Sequence, residues 1–479
     1  MKSKLLFLVM YALVTAMGAA HANAEKQSNL DDQAGVAVTI YNENLALIKD
    51  TRKIKLDRGV NNLAFRDVSA LIRPETALLR SLTGLGGLSM LEQNFDYDLL
   101  TPQKLLQKYV GKNVRIVKTH PTTGEETIEQ AKVLSANNGV VLQIGDRIET
   151  GISGRIIYDR IPGNLRDRPT LVMQMDNKIE KEQTVELSYL TGGLSWKADY
   201  VAELNSDDSM LDLNGWVTLT NASGTQYTNA ILQLVAGDVN RVSPNVEYDL
   251  AVRSELMSAR KSKSMMTEES LFEYHMYSLG RSTTLANNQT KQVALLNANQ
   301  VSVNKEYLLK GADYYYRSHY GEIGQKLKVG VYVDFKNTKK SGLGLPIPKG
   351  TIRVYKKDSK GNAQFVGEDA IDHTPENENI NLKLGDAFDV TAHKKQTSFK
   401  KRSKFRQYNY VYDIAFEIEL KNAKDEAVTV KVQEPIPGDW SMKSSSHKHR
   451  KVASGTAEWE VKVPAEASTT LKYVVSVKY

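Results

Sequence analysis

Three stretches decide the fold of this chain: LTGGLSWKADY at residues 190–200, LNGWVTLTN at 213–221 and LQLVAGDVNRV at 232–242. In the second stretch Leu213, Val217 and Leu219 occupy alternate positions, with Trp216 and Thr218 between them. Apolar residues at every second position are typical of strands with one buried face, and clusters of Gly and Asn are typical of turns. These residues therefore predict a run of half-buried β-strands.

The same alternation recurs through the rest of the chain. Its longest run lies near the C-terminus and comprises Tyr410, Tyr412, Ile414, Phe416, Ile418 and Leu420. Strands that follow one another through turns, without helices between them, are typical of β-sandwiches. We therefore predict an all-β protein built from β-sandwich domains of the immunoglobulin-like kind.

One short segment differs from this pattern. Thr101 and Pro102 are typical of a helix start, and Gly111 is typical of a helix end. Several short strands follow, joined by hairpin turns at 137–139 and 145–146. One helix and four or five short strands predict an inserted small SH3-like or Sm-like barrel. Such barrels can bind RNA or peptides, but we interpret this one as a structural module.

These observations predict a domain organisation along the chain. It comprises a signal peptide at 1–24, an N-terminal strand region at 25–100, the small barrel at 101–160, a β-sandwich unit at 161–242, a polar linker at 243–270 and a C-terminal β-sandwich region at 271–479. The linker is rich in Ser and Lys and shows no strand alternation, so we interpret it as disordered or weakly helical.

The first 24 residues have the pattern of a secretion signal. Lys2 and Lys4 precede an apolar run at 5–17, which is too short to span a bilayer. The small-x-small motif Ala22-Asn23-Ala24 precedes a cleavage site that would make Glu25 the first mature residue. An uncleaved anchor is the alternative interpretation. We expect a periplasmic or secreted protein without a transmembrane helix.

Composition excludes several classes of chemistry. The chain has no Cys, which excludes disulfides, thiol catalysis, cysteine-bound metals and lipid attachment through cysteine. The net charge is +7, and it falls to +5 without Lys2 and Lys4, so charge is informative only where it clusters.

Catalytic and metal-binding motifs are not evident in the sequence. It contains no Gly-x-Ser-x-Gly elbow, no His-Glu-x-x-His pair and no phosphate-binding loop. His447 and His449 flank Lys448, but metal sites usually need three or four ligands, so we expect no metal and no cofactor. Asp238 and Arg241 are interpreted as a structural turn rather than a sugar-binding corner.

Two tryptophans have two interpretations. Trp196 and Trp216 can stack on sugar rings, but tryptophans of sandwich strands more commonly lie in the core. We therefore expect both side chains to be buried.

The sharpest local feature is a basic segment at 393–406 that contains no acidic residue. We predict that its cations bind an anionic ligand; they are Lys394, Lys395, Lys400, Lys401, Arg402, Lys404 and Arg406. Phe399 and Phe405 are interleaved with them, and flanking strands predict a hairpin that presents some of the charges on one face. Such a face suits an anionic polymer. The alternative is a solvated edge hairpin whose lysines prevent aggregation.

The last residues also have two interpretations. Alternating Leu471, Tyr473, Val475, Val477 and Tyr479 are similar to the terminal strand of an outer-membrane β-barrel. Long polar loops favour the last strand of a soluble sandwich instead.

Several stretches together resemble the mucoidy-inhibitor-A-like bacterial family, whose shared region is a domain of unknown function, number 4139. Besides residues 190–242 they are YSLGRSTTL at 277–285, NQTKQV at 288–293, EPIPGDW at 434–440 and, near the start, VTIYN at 38–42. The resemblance covers roughly residues 155–479, and the chain lacks the long coiled coil of better-known members. It implies a secreted or periplasmic β-rich protein and supplies no catalytic residues.

We interpret the chain as an exported, non-catalytic cell-envelope protein that binds or scaffolds an envelope component. The expected partner is an anionic envelope polymer or an envelope protein, and we expect no nucleic-acid partner. One alternative is a hydrolase of envelope polysaccharide with an unrecognised carboxylate pair, and another is the outer-membrane barrel.

Overall fold

The computed structural model describes residues 25–237 and 266–479, apart from 43, 84–85, 97, 153, 163–164 and 406–407. The predicted signal peptide, the linker residues 243–265 and the predicted turn at Asp238 and Arg241 lie outside the described residues. None of the described helices is both long and apolar enough to span a membrane.

The chain up to residue 191 contains helix α1 (Pro102–Lys108) and thirteen described strands. They are β1 (Lys26–Ser28), β2 (Gln33–Tyr41), β3 (Leu45–Lys55), β4 (Gly59–Arg66), β5 (Leu78–Ser81), β6 (Leu88–Asp96), β7 (Asn113–Thr119), β8 (Glu126–Ser135), β9 (Val141–Ile144), β10 (Arg147–Thr150), β11 (Arg155–Ile157), β12 (Thr170–Asn177) and β13 (Glu182–Thr191).

The described remainder is strand with short 3-10 turns at Asp313–Tyr316 and Lys339–Ser341. Its first strands are β14 (Leu194–Leu204), β15 (Met210–Asn221), β16 (Tyr227–Ala236), β17 (Met266–Leu271), β18 (Tyr274–Leu279), β19 (Thr283–Leu285), β20 (Gln289–Ser302) and β21 (Asn304–Lys310). The others are β22 (Glu322–Lys336), β23 (Gly350–Lys357), β24 (Ala363–Ile371), β25 (Asn379–Phe405), β26 (Tyr408–Asn422), β27 (Val428–Pro435), β28 (Asp439–Ser445), β29 (His449–Ala453), β30 (Thr456–Val463) and β31 (Ala467–Lys478). The all-β class that the alternation predicts is therefore confirmed.

The first of two compact units comprises residues up to 195 together with 220–233 and 281–290. One of its sheets has the strand order β1-β4-β12-β6, and a second contains β16-β2-β3-β13-β5. The short 3-10 turns Leu30–Asp32 and Pro74–Thr76 also belong to it. Alternating burial along β13 shows that its apolar residues form one inward face.

The segment that is predicted to form a small barrel has its own core. Helix α1 starts at Pro102 with the Thr101 side chain accepting a hydrogen bond from the backbone of Lys104. It is followed by an antiparallel sheet in the order β10-β9-β8-β7-β11. Leu106 and Tyr109 at the helix end belong to the same buried cluster as Val133 and Leu142.

The second unit comprises residues 196–219, 234–280 and 291–479. Its described strands include a five-stranded sheet in the order β20-β15-β14-β23-β24 and the hairpin β17–β18. In the five-stranded sheet β14 and β23 run parallel, whereas β23 and β24 run antiparallel.

A nine-stranded sheet completes the second unit, in the order β28-β31-β26-β25-β22-β21-β27-β30-β29. It curls so strongly that it is nearly closed. The rings of Trp459 on β30 and Tyr473 on β31 lie 4.7 Å apart although five strands separate β30 from β31 along the sheet. The enclosed core contains side chains from strands all around the curl, such as Val329, Ile414, Val430 and Trp459.

Candidate functional site

The predicted basic segment lies on the hairpin of β25 and β26, whose register pairs Lys395 with Glu417 and Lys400 with Asp413. A β-bulge at Thr397 interrupts the pairing between Gln396 and Ser398. The bulge places Lys395, Lys400 and Arg402 on the outer face of the curled sheet. It places Lys394 and Gln396 on the inner face, opposite Ile418 and Phe416.

Two ion pairs share one carboxylate at the centre of the outer face. Glu417 Oε2 lies 3.3 Å from Lys395 Nζ, and its Oε1 lies 2.9 Å from Lys472 Nζ on the neighbouring strand. The hydrogen bond from Lys472, with the charge of Lys395 behind it, holds the pKa of Glu417 below its usual value. The carboxylate is therefore ionised at neutral pH, between two cations.

A second carboxylate is shared in the same way. Asp413 forms ion pairs with Arg402 and, at 2.6 Å, with Lys443 Nζ on β28. Burial raises the pKa of Asp413, but hydrogen bonds from Lys443 and Ser476 outweigh it and leave the pKa below its usual value. Lys400 is exposed, and among the described side chains it has no carboxylate within ion-pair distance.

These cations form one surface, which we name the basic face. It consists of Lys395, Lys400, Arg402, Lys443 and Lys472. Four of these cations share two carboxylates and Lys400 is unpaired among the described side chains, so pairing across the strands leaves an excess of positive charge. The side chains of the four paired cations are 39–65 % exposed, so their charges are accessible to a ligand.

A groove of about 400 Å³ opens on the basic face. Ala415 and Val474 form its floor, and Thr397 and the three serines 444–446 bring hydroxyl groups to its rim. Ser446 accepts a hydrogen bond from the backbone of Lys472 at 2.9 Å. Hydroxyl donors beside lysine ammonium groups are suited to carboxylate, sulfate or phosphate groups.

Lys394 is not part of the basic face, contrary to the prediction that it binds a ligand at the surface. It is 1 % exposed, and its Nζ lies 2.6 and 2.7 Å from the two carboxylate oxygens of Glu434 on β27. Burial lowers the pKa of Lys394, and the charge of Glu434 opposes that shift. Aromatic rings surround the ammonium group, with the ring centres of Tyr315 and Phe416 at 4.6 and 4.9 Å.

Two buried tyrosines complete this internal cluster. Tyr316 donates a hydrogen bond to Glu434 Oε2 at 2.8 Å, and its hydroxyl lies 2.9 Å from that of Tyr473. Burial and the nearby charge of Glu434 raise the pKa of both tyrosines, so both hydroxyls stay protonated and can donate. Gly311 lies so close to the Glu434 carboxylate that no larger residue fits there. The cluster joins β25 to β27 across the interior of the curled sheet and is shielded from solvent.

Three cations of the predicted ligand-binding set remain, and the structure describes them to different extents. Lys401 points to the other side of the hairpin, where its Nζ lies 4.1 Å from the centre of the Tyr410 ring. The backbone of Lys404 belongs to β25, and Arg406 lies outside the described residues. Ligand binding by any of these cations stays a prediction.

Trp196 and Trp216 differ in how far their side chains are buried. Trp196 is 5 % exposed, so its predicted burial is confirmed, whereas Trp216 is 41 % exposed and its predicted burial is wrong. The reason is the period of two in β15, which buries Leu213, Val217 and Leu219 and turns Trp216 outward.

The two histidines that were considered as metal ligands have other neighbours. His447 Nδ1 lies 2.9 Å from the hydroxyl of Ser446, and the His449 ring lies 6.1 Å from the Trp459 ring. In the part of the chain that the structure describes, no group of three or more acidic or His residues is arranged to hold a metal ion.

One carboxyl group has the character that the hydrolase alternative requires. Burial first, and then the charge of Glu306, raise the pKa of Asp334 on β22. A general acid beside a second carboxylate is the arrangement of glycosidases. Glu306, however, is ion-paired with Lys431, and neither carboxyl group lines the groove of the basic face. The hydrolase stays an alternative prediction.

Several site residues were not identified from the sequence. Lys443, Lys472 and the serines 444–446 lie far from the basic segment along the chain and join it only through sheet pairing. Lys472 carries a signal, because it alternates with the apolar Leu471 and Tyr473 and must point outward on a strand. The serines carry none.

A family model described as a domain of unknown function, DUF4139, matches residues 185–479, which is more than half of the chain. The match includes every strand of the basic face and both residues of the buried ion pair. No curated protein matches the chain.

Proposed function

This chain belongs to the DUF4139 family, and on that premise we propose that it is an exported, non-catalytic cell-envelope protein that binds an anionic envelope polymer through the basic face. We also propose that it is a mucoidy-inhibitor-A-like member, which the stretches at 190–242, 277–285 and 434–440 support. Export is supported by the signal-like sequence of residues 1–24.

The observation that carries the proposal is a face of five cations, four of which share two carboxylates, beside a hydroxyl-lined groove. A solvated edge hairpin needs only scattered charge. Here Lys395, Lys443 and Lys472 come from three different strands, and Lys472 lines the groove together with Glu417, the carboxylate that it shares with Lys395. The anionic groups of an extended polymer lying in the groove can form ion pairs with these lysines, whose carboxylate partners are shared. The polymer can also accept hydrogen bonds from the hydroxyl groups at the rim.

Removing four charges from the basic face is expected to weaken polyanion binding by about tenfold or more at low salt. The variant combines Lys395→Gln, Lys400→Gln, Lys443→Gln and Lys472→Gln. The side chains are exposed or half-exposed, so the fold should persist. Binding of residues 25–479 to alginate, a carboxylated polysaccharide, and to dextran sulfate is measured by calorimetry in low and in high salt.

The matched control removes the same number of charges elsewhere. It combines Lys53→Gln, Lys132→Gln, Lys360→Gln and Lys462→Gln, all of which are exposed. The proposal expects binding of the control to equal that of the wild type. An equal loss of affinity in both variants would show that net charge, and not the basic face, drives binding.

A further inference from the structure

A second exposed surface lies on the outer side of the five-stranded sheet. Its centre is a chain of polar contacts across neighbouring strands. Arg353 NH1 donates to Asp199 Oδ1 at 3.1 Å, and its Nε lies 3.1 Å from Glu368 Oε2. Thr218 Oγ1 donates to Asp199 Oδ2 at 2.9 Å, and Gln292 donates to Thr218 at 3.2 Å. All five strands of the sheet contribute one residue.

Trp216 stands beside this polar row. It lies two residues from Thr218 on β15, and β15 returns antiparallel to β14 after a short turn. Backbone hydrogen bonds from Ala222 to Gly193 and from Asn205 to Met210 set the register of this pair, which places Trp216 opposite Asp199 and next to Val201 along the same face. Trp216 is 41 % and Val201 is 37 % exposed. A small neighbour on this side leaves the indole ring open to solvent.

A second aromatic pair lies across the same face. Tyr355 on β23 is opposite Phe365 on the edge strand β24, with ring centres 5.6 Å apart. Phe365 is 56 % exposed. Two or three strand spacings of about 4.8 Å and four residues along the strand direction, about 13 Å, separate Trp216 from this pair, so the indole lies about 16–20 Å from the two rings.

We propose that this surface binds a neutral oligosaccharide, with Trp216 and the Tyr355–Phe365 pair stacking on two sugar rings. The polar row runs beside both aromatic groups and supplies hydroxyl partners. Two contacts engage two of the five N–H groups of Arg353, so others can donate to sugar hydroxyls, while Asp199 and Glu368 accept. Exposed aromatic rings beside planar polar groups match pyranose chemistry, in which apolar ring faces alternate with hydroxyl edges.

Charge favours a neutral ligand over an anionic one. The ion pairs of this face join three cations to three carboxylates: Lys197 and Arg353 to Asp199, Arg353 to Glu368, and Lys357 to Glu203. The aromatic groups also lie about 16–20 Å apart on this face and do not form the continuous apolar centre that is typical of a protein interface. The inference does not depend on the basic face.

The test uses residues 25–479 and three neutral probes, cellohexaose, maltohexaose and the hexasaccharide of chitin. At least one is expected to bind with a dissociation constant below about 1 mM in calorimetry. Trp196, Trp440 and Trp459 are each at most 7 % exposed, so a shift of tryptophan emission on binding reports Trp216. Trp216→Ala is expected to weaken binding by about tenfold or more.

Phe388→Ala is the matched control, because Phe388 is 94 % exposed and lies on β25, outside this face. It should leave affinity unchanged, and so should the four-lysine variant of the basic face, which separates this inference from the proposed function. Failure of all three probes to bind, or equal binding by Trp216→Ala, overturns the inference. So does capture of a protein through Trp216 without saccharide binding.

Discussion

Lys394→Ala is expected to lower the free energy of unfolding of the second unit by about 3–5 kcal/mol. The substitution leaves the carboxylate of Glu434 buried at 0 % exposure without its cation. Tyr316 would be the remaining donor to that carboxylate, and one neutral hydrogen bond does not offset the lost ion pair. All four tryptophans lie in the second unit, so urea unfolding followed by tryptophan fluorescence measures the effect.

Two further variants show whether the buried charge is the cause. Lys395→Ala removes the neighbouring lysine, whose side chain is 45 % exposed, and should change stability by less than about 1 kcal/mol. Lys394→Met combined with Glu434→Gln removes both charges and should recover most of the stability. A double variant as unstable as Lys394→Ala would contradict the explanation and point to lost packing instead.

Arg52→Ala is expected to destabilise the first unit by a similar amount, about 3–5 kcal/mol. Arg52 is fully buried, and its NH2 lies 2.8 Å from Asp50 Oδ2. It also donates to the carbonyl oxygens of Ser28 and Arg66 at 2.9 and 2.8 Å, and its guanidinium lies 3.7 Å from the centre of the Phe65 ring. Its loss leaves Asp50 and two carbonyl groups without this donor.

Amide hydrogen exchange along β3 measures this effect, because all four tryptophans lie in the second unit. Arg52→Lys should be nearly as harmful, since an ammonium group cannot reach three acceptors in a planar fork. Arg80→Ala is the control, because Arg80 is 57 % exposed and pairs with Glu186 on the same unit. If the β3 amides were equally protected from exchange in Arg52→Ala and Arg80→Ala, the buried contacts of Arg52 would contribute no more to stability than the exposed ion pair of Arg80.

The strands were predictable because burial follows the period of two. The alternating run from Tyr410 to Leu420 lies within β26, and Ile414, Phe416, Ile418 and Leu420 are all buried. The same period of two predicts which way the side chain at position 434 points. Val428, Val430 and Val432 point inward, so Glu434 must point inward too, and a buried carboxylate needs a cation.

The partner of that carboxylate was not predictable. Counting back by twos from the inward-facing Phe399 places Lys395 inside and Lys394 outside. The bulge at Thr397 adds one residue and reverses both assignments. No residue type marks this bulge in the sequence, so the basic segment appears as a single charged surface. Contact between β25 and β27 also depends on the curl of the whole sheet, which alternation within a single strand does not reveal.

The most direct test of the proposed function is binding of residues 25–479 to isolated lipopolysaccharide, acidic envelope polysaccharide and peptidoglycan, at low and high salt. The four-lysine variant of the basic face is measured beside the wild type and the charge-matched control. The account predicts binding that falls steeply with salt, persists in the control and is lost when Lys395, Lys400, Lys443 and Lys472 are changed. Binding that is absent, or that is equal in all three proteins, would contradict it and make the basic face a solvated sheet surface.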